Sequence, residues 1–128
     1  MKYMTPQPTV MVVDDDENIL SAFEDFLKTE HCTMIAATSA EDALKTIEHR
    51  HVDLLITDIR LSGQSGVTLF LRAKADYPRL PVIVITGHPD LVNEKEVKEY
   101  GAEYFFTKPL ELDKLRDAVR SCLVISHK

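Results

Sequence analysis

The chain has 128 residues, 45% hydrophobic and 28% charged, with a formal net charge of -6. That length fits one domain with a core large enough to be stable, and the acidic balance argues against a nucleic-acid binder, which would present a basic face. No apolar run approaches the ~20 residues of a membrane span, Met1 to Gln7 lack a signal-peptide core, and the isolated Cys32 and Cys122 lack metal-ligand spacing, so they read as reduced, buried thiols of a cytoplasmic protein.

Residues 1–8, with Pro6 and Pro8, read as an extended lead-in, and residues 9–128 as one domain. A first strand is expected at about 9–13, where Val10 to Val13 runs into Asp14-Asp15-Asp16. Ile19, Phe23, Phe26 and Leu27 then share one helical face. A second strand is expected at 33–37, followed by a helix with Ser39 as N-cap and Ala40, Ala43, Leu44 and Ile47 turned inward. The third strand, at 52–57, runs into Asp58 and then Ile59-Arg60-Leu61-Ser62-Gly63. Val67, Phe70 and Leu71 mark a third helix. The fourth strand, at 82–86, ends in Thr86-Gly87. The following helix, Leu91 to Tyr100, has little apolar face beyond Val97 and Tyr100, so it gains little from packing. A fifth strand, 103–107, carries Phe105-Phe106-Thr107 into Lys108-Pro109, and Leu112, Leu115, Val119 and Cys122 mark the last helix.

The strands are continuous apolar runs, as expected where both faces are covered. Strict alternation with helices implies an α/β domain with a parallel sheet and right-handed crossovers. Open sheets of this kind place ligands at the carboxyl ends of their strands. Asp14, Asp15, Asp58, Thr86 and Lys108 all fall there. Each has an ordinary use alone: an acidic turn that caps a helix, a loop carboxylate, a strand-end threonine, a surface lysine. Together they form a hard-oxygen set with a hydroxyl and an ammonium, which suits a divalent metal and a phosphoryl group.

Taken in order, Val12-Val13-Asp14-Asp15-Asp16-Glu17, Thr57-Asp58-Ile59-Arg60-Leu61-Ser62-Gly63-Gln64-Ser65-Gly66, Val82-Ile83-Val84-Ile85-Thr86-Gly87-His88 and Gly101-Ala102-Glu103-Tyr104-Phe105-Phe106-Thr107-Lys108-Pro109 span almost the whole chain. The pattern resembles the receiver domain of bacterial response regulators. The resemblance implies a flavodoxin-like (βα)5 three-layer sandwich with a five-stranded parallel sheet in the order 2-1-3-4-5. It implies that Asp58 accepts a phosphoryl group from a sensor histidine kinase or a histidine phosphotransfer protein, and that the domain then switches conformation to control output.

In that scheme Asp15 binds Mg²⁺ directly, Asp14 assists through water, and Asp58 and the Arg60 carbonyl complete the metal site. Thr86 hydrogen-bonds the phosphoryl group, and Lys108 pairs with it and, before phosphorylation, with Asp58. Thr86 and Phe105 form the switch pair, while Arg60 and His88 tune dephosphorylation. A cis Lys108–Pro109 bond is also implied. The few apolar anchors of the fourth helix and its place directly after Thr86 make residues 88–100 the expected mobile segment and main output surface. Such a domain is a phosphoacceptor that assists its own Mg-dependent phosphorylation and dephosphorylation, rather than an enzyme. It binds no nucleic acid directly, does not enter the membrane, and allows a homodimer. Leu61 and Ser62 depart from the Met and Pro common in the family, leaving that loop less stiff.

Two other functions share parts of this pattern. An FMN binder would want helix N-terminal amides at the phosphate, not carboxylates. A phosphatase with an Asp-x-Asp pair could use Asp14 and Asp16, but this leaves the Asp58 motif without a role.

Overall fold

The computed structural model describes residues 7–60, 66–87, 89 and 94–126. Five strands and five helices alternate along it: β1 Thr9–Val13, α1 Glu17–Thr29, β2 Thr33–Ala37, α2 Ala40–His49, β3 Leu54–Asp58, α3 Gly66–Asp76, β4 Val82–Thr86, α4 Glu94–Glu99, β5 Tyr104–Thr107 and α5 Leu112–Ser126. The strands form one parallel sheet in the order β2-β1-β3-β4-β5.

Alternation along each strand divides the core in two. Met11, Val13, Leu55, Val82 and Val84 pack with α2, α3 and Val97 of α4. Val10, Val12, Leu54, Ile56, Ile83 and Ile85 pack with α1 and α5. Burial on both faces is why these strands read as unbroken apolar runs. Cys32 and Cys122 are both buried free thiols.

The helices start where side chains satisfy their first amides. Asp16 caps α1 by accepting from Asn18 N–H at 2.9 Å, and Ser39 caps α2 by accepting from Asp42 N–H at 3.2 Å. After α1, His31 takes a left-handed φ of 58°, which turns the chain toward β2.

Several packing expectations need correction. The third strand begins at Leu54 and reaches Asp58, because the Asp53 carboxylate is occupied by Thr9 N–H and His51 at the strand's entrance. The fifth begins at Tyr104, since Glu103 turns its carboxylate to Val82 N–H. Leu20 is buried on α1 while Ile19 is only partly so. On α3 Leu69 is buried and Leu71 exposed. Tyr100 lies past the end of α4 and is 62% exposed, and Leu112 at the first position of α5 is also exposed. Ile19 and Leu71 sit one position off the stripe that faces the sheet, so helical phase decides their exposure, whereas Tyr100 and Leu112 are exposed because they lie at or beyond a helix end.

Candidate functional site

The carboxyl ends of β1, β3, β4 and β5 converge. Asp14 directly follows β1, and its N–H donates to Ala37 O at 3.1 Å, which carries the ladder one residue further and fixes the carboxylate at the sheet edge. Asp58 is the last residue of β3, in register with Ile85. Thr86 ends β4 opposite Thr107. Lys108 follows β5, and its N–H donates to Thr86 O at 2.7 Å. The Lys108–Pro109 peptide is cis, as expected. Asp14, Asp58 and Thr86 are all buried.

The Lys108 ammonium joins the two carboxylates. Its Nζ lies 2.7 Å from Asp58 Oδ2 and 2.9 Å from Asp14 Oδ2. The other oxygens are held by the backbone: Asp16 N–H donates to Asp14 Oδ1 and Arg60 N–H to Asp58 Oδ1, each at 2.9 Å. Four hydrogen bonds therefore fix the orientation of both carboxylates. Charged partners make the two lysine bonds the stronger ones.

Burial raises the pKa of Asp14. The Asp16 amide and Lys108 oppose the shift without cancelling it, and the Asp58 charge adds to it. For Lys108, burial works against the ammonium, but the hydrogen bonds and charges of Asp58 and Asp14 outweigh it and hold its pKa above the ordinary lysine value. Lys108 is therefore a permanent cation at neutral pH.

With Asp14 and Asp58 ionised, two carboxylates share one ammonium and leave an excess negative charge at a sheet edge. Among the described residues no three His, Cys, Asp or Glu side chains gather into a metal-holding group, and Asp15 is exposed beside the pair. Mg²⁺ does not need three: it keeps several waters and takes one or two carboxylates with carbonyl oxygen. The donor chemistry of Asp14 and Asp58 fits that ion.

The remaining expected residues are spread around this core. Arg60 is exposed, with its N–H on Asp58. Phe105 is half-buried against the core on the α2–α4 side. His88, like Leu61 to Ser65, lies outside the described residues.

Two contributions escaped the sequence reading. The sequence pairs Lys108 with Asp58 alone, and its equal hold on Asp14 is visible only in the fold. Gly66, at the start of α3, donates its N–H to Ile59 O at 2.8 Å, and a Cβ there would overlap the Asp58 carbonyl oxygen. A glycine eight residues after the candidate nucleophile was the available signal.

Residues 10–120 match the family model described as the response regulator receiver domain. Two similar curated proteins are the C4-dicarboxylate transport transcriptional regulatory protein DctD of Rhizobium meliloti (strain 1021) and the heme response regulator HssR of Staphylococcus aureus (strain MRSA252). The first is 32% identical over 117 residues, covering 91% of this chain and 25% of that protein. The second is 35% identical over 113 residues, covering 88% and 50%. The chain thus spans a quarter to a half of the length of these relatives. Among solved structures, the signal receiver domain of an HD domain-containing protein from Pseudomonas fluorescens Pf-5 superposes with a TM-score of 0.86 at 29% identity, covering 99% of this chain and 94% of that one.

Proposed function

The chain belongs to the response regulator receiver domain family, the phosphoacceptor modules of two-component signalling, and from that premise we propose how its own residues carry the reaction. Receiver domains of this family work with histidine kinases and bind Mg²⁺ at an acidic pocket. Here Asp58 is the phosphoacceptor. The observation that carries this reading is the Lys108 ammonium held between Asp58 and Asp14 at the carboxyl edge of the sheet.

One Asp58 oxygen attacks phosphorus in line as the P–N bond of a phosphohistidine breaks, and the electron pair leaves with the imidazole nitrogen. Little covalent help is needed, so positioning and charge neutralisation dominate. The Arg60 amide and Lys108 hold the carboxylate in place before attack. Lys108 then follows the new charge from carboxylate to phosphoryl oxygen. Thr86, buried at the end of β4, offers its hydroxyl to the phosphoryl group and couples it to Phe105 as the switch pair. Asp14, Asp15, Asp58 and the Arg60 carbonyl would hold Mg²⁺, which when bound neutralises charge on the transferring group. Arg60 and His88 tune water access during hydrolysis.

Residues 9–128 form the receiver domain, with 1–8 as its lead-in. Among the described residues no helix is long and apolar enough to cross a membrane, and we place the domain in the cytoplasm beside its kinase. The domain allows a homodimer.

Acetyl phosphate with Mg²⁺ tests the assignment by intact mass. One phosphoryl group is expected on the natural chain and none on Asp58→Asn; a phosphorylated Asp58→Asn overturns it.

A further inference from the structure

At the opposite end of the sheet lies a second concavity that phosphoryl transfer does not use. It is a cleft of about 500 Å³ between the segments that enter β3 and β4, with Ile47, Val52, Leu80 and Tyr77 as apolar walls and Arg50 and Arg79 beside them. β3 and β4 are paired neighbours, so the two segments lie side by side, a five-residue strand away from Asp58. That separation is roughly 16 Å.

The cleft is preformed. Tyr77 packs against the core. Lys74, only 15% exposed at its side chain, donates to Leu80 O at 2.9 Å and Pro78 O at 3.2 Å, which pins the segment carrying Arg79. Arg50 N–H donates to Thr46 O at 3.0 Å, which ties the other wall to α2.

The charge is unneutralised. Asp and Glu outnumber Lys and Arg 21 to 15 in this chain. Yet among the described residues neither the Arg50 nor the Arg79 guanidinium has a hydrogen-bond or ion-pair partner. The nearby Asp53 carboxylate is buried and is held by Thr9 N–H and by His51 Nε2 at the cleft's edge, each at 2.8 Å. Cations beyond a helix C-terminus have an ordinary use in offsetting the helix dipole, and both arginines follow one. That use explains neither their shared cleft nor its apolar, aromatic wall. Guanidinium pairs match phosphate oxygens in geometry and charge, and the volume is that of a small-molecule site.

We propose that this cleft binds a ligand of the mononucleotide class, with its phosphate on Arg50 and Arg79 and its flat base against Tyr77 and Pro78. The site is independent of phosphorylation at Asp58.

Amide NMR titrations of the full chain with AMP, adenosine and inorganic phosphate test this. AMP should shift the amides of Arg50, His51, Tyr77 and Arg79 saturably, with Kd below about 1 mM. Adenosine and phosphate should each bind at least about tenfold more weakly, since each keeps half of the contacts. Arg50→Gln and Arg79→Gln together should weaken AMP about tenfold or more, and Asp58→Asn should leave it unchanged. A titration of the natural chain at about 0.5 M salt should weaken binding in the same direction without any substitution. The proposal is overturned by absent or non-saturable shifts, by shifts confined to Asp14, Asp58 and Lys108, by adenosine or phosphate matching AMP, or by undiminished affinity in the double variant. A role restricted to the helix dipoles would lower the melting temperature of that variant and leave no AMP binding to lose.

Discussion

At the residue scale, Asp14 shows how a buried charge works against the fold. Its native pKa is raised above the ordinary 3.8, chiefly by burial. The native state therefore holds this proton more tightly than the unfolded chain does. Its stabilising effect is fully present below the ordinary value and is lost as pH rises through the native pKa, so at neutral pH the charge opposes folding. Asp14→Asn in metal-free buffer should raise the melting temperature by roughly 2–5 °C at pH 7, on the order of 1 kcal/mol. Calorimetry should show the gain shrinking toward about pH 4. Cys122 gives the alkaline counterpart. Its thiol is pushed from 9.0 up to about 12, first by burial and then by Glu103, with Lys74 opposing. The native state keeps a proton that the unfolded chain releases, so between pH 9.0 and about 12 this group removes stability as pH rises. The slope is about 1.4 kcal/mol per pH unit. Urea midpoints at pH 8 to 10 should fall less steeply in Cys122→Ala than in the natural chain, and an equal slope would remove Cys122 as the cause.

At the element scale, α4 differs from its neighbours. It has six residues, and Val97 is its buried side chain. α1 buries Leu20, Phe23, Phe26 and Leu27 over thirteen residues. Local opening of α4 should therefore cost much less than opening of α1. Hydrogen exchange should show residues 94–99 exchanging at least about tenfold faster than the middle of α1, a gap of ~1.4 kcal/mol or more. Equal protection would show that α4 is held by contacts other than Val97. The expected output surface along 88–100 lies partly outside the described residues, so this comparison bears on its second half. The start of α3 makes the opposite case. Gly66 lies so close to Asp58 that Gly66→Ala must displace either the helix or the Asp58 backbone. Acetyl-phosphate labelling should fall at least about tenfold while the circular dichroism of the domain is retained, as expected when a nucleophile moves by ~1 Å.

At the scale of the whole molecule, the ends of four of the five strands meet at one charged cluster, so a ligand there is coupled to the stability of the sheet. Beryllofluoride with Mg²⁺ mimics the phosphorylated state. Binding only to the native state stabilises it by about 2.7 kcal/mol at a hundredfold excess over Kd. The melting temperature should rise with both components present, stay unchanged with fluoride alone, and stay unchanged in Asp58→Asn. A rise in Asp58→Asn would place the mimic elsewhere. The cleft beyond the other end of the sheet adds a second readout, because AMP should raise the melting temperature of Asp58→Asn as much as that of the natural chain.

Local patterns made much of this legible. The apolar runs at Val10 to Val13 and Val82 to Ile85 had to be strands covered on both faces, and Ser39 had to start a helix, because these properties reside in neighbouring residues. Asp58, Thr86 and Lys108 could be assigned to strand ends, and the spacing of the motifs around them identified the family. Burial at the margins was not legible. Leu71, Tyr100 and Leu112 are apolar or aromatic like residues that are buried; the rotation of α3 exposes the first, and position at or past a helix end exposes the other two. Nor was the bridge from Lys108 to Asp14, two residues 94 positions apart in sequence, or the shared cleft that Arg50 and Arg79 line at the entrances of β3 and β4. The sequence by itself determined which segments form strands and helices and which residue types stand at their ends. The tertiary structure alone decided which of those residues touch, because such distances depend on strand order and register and no local propensity encodes them.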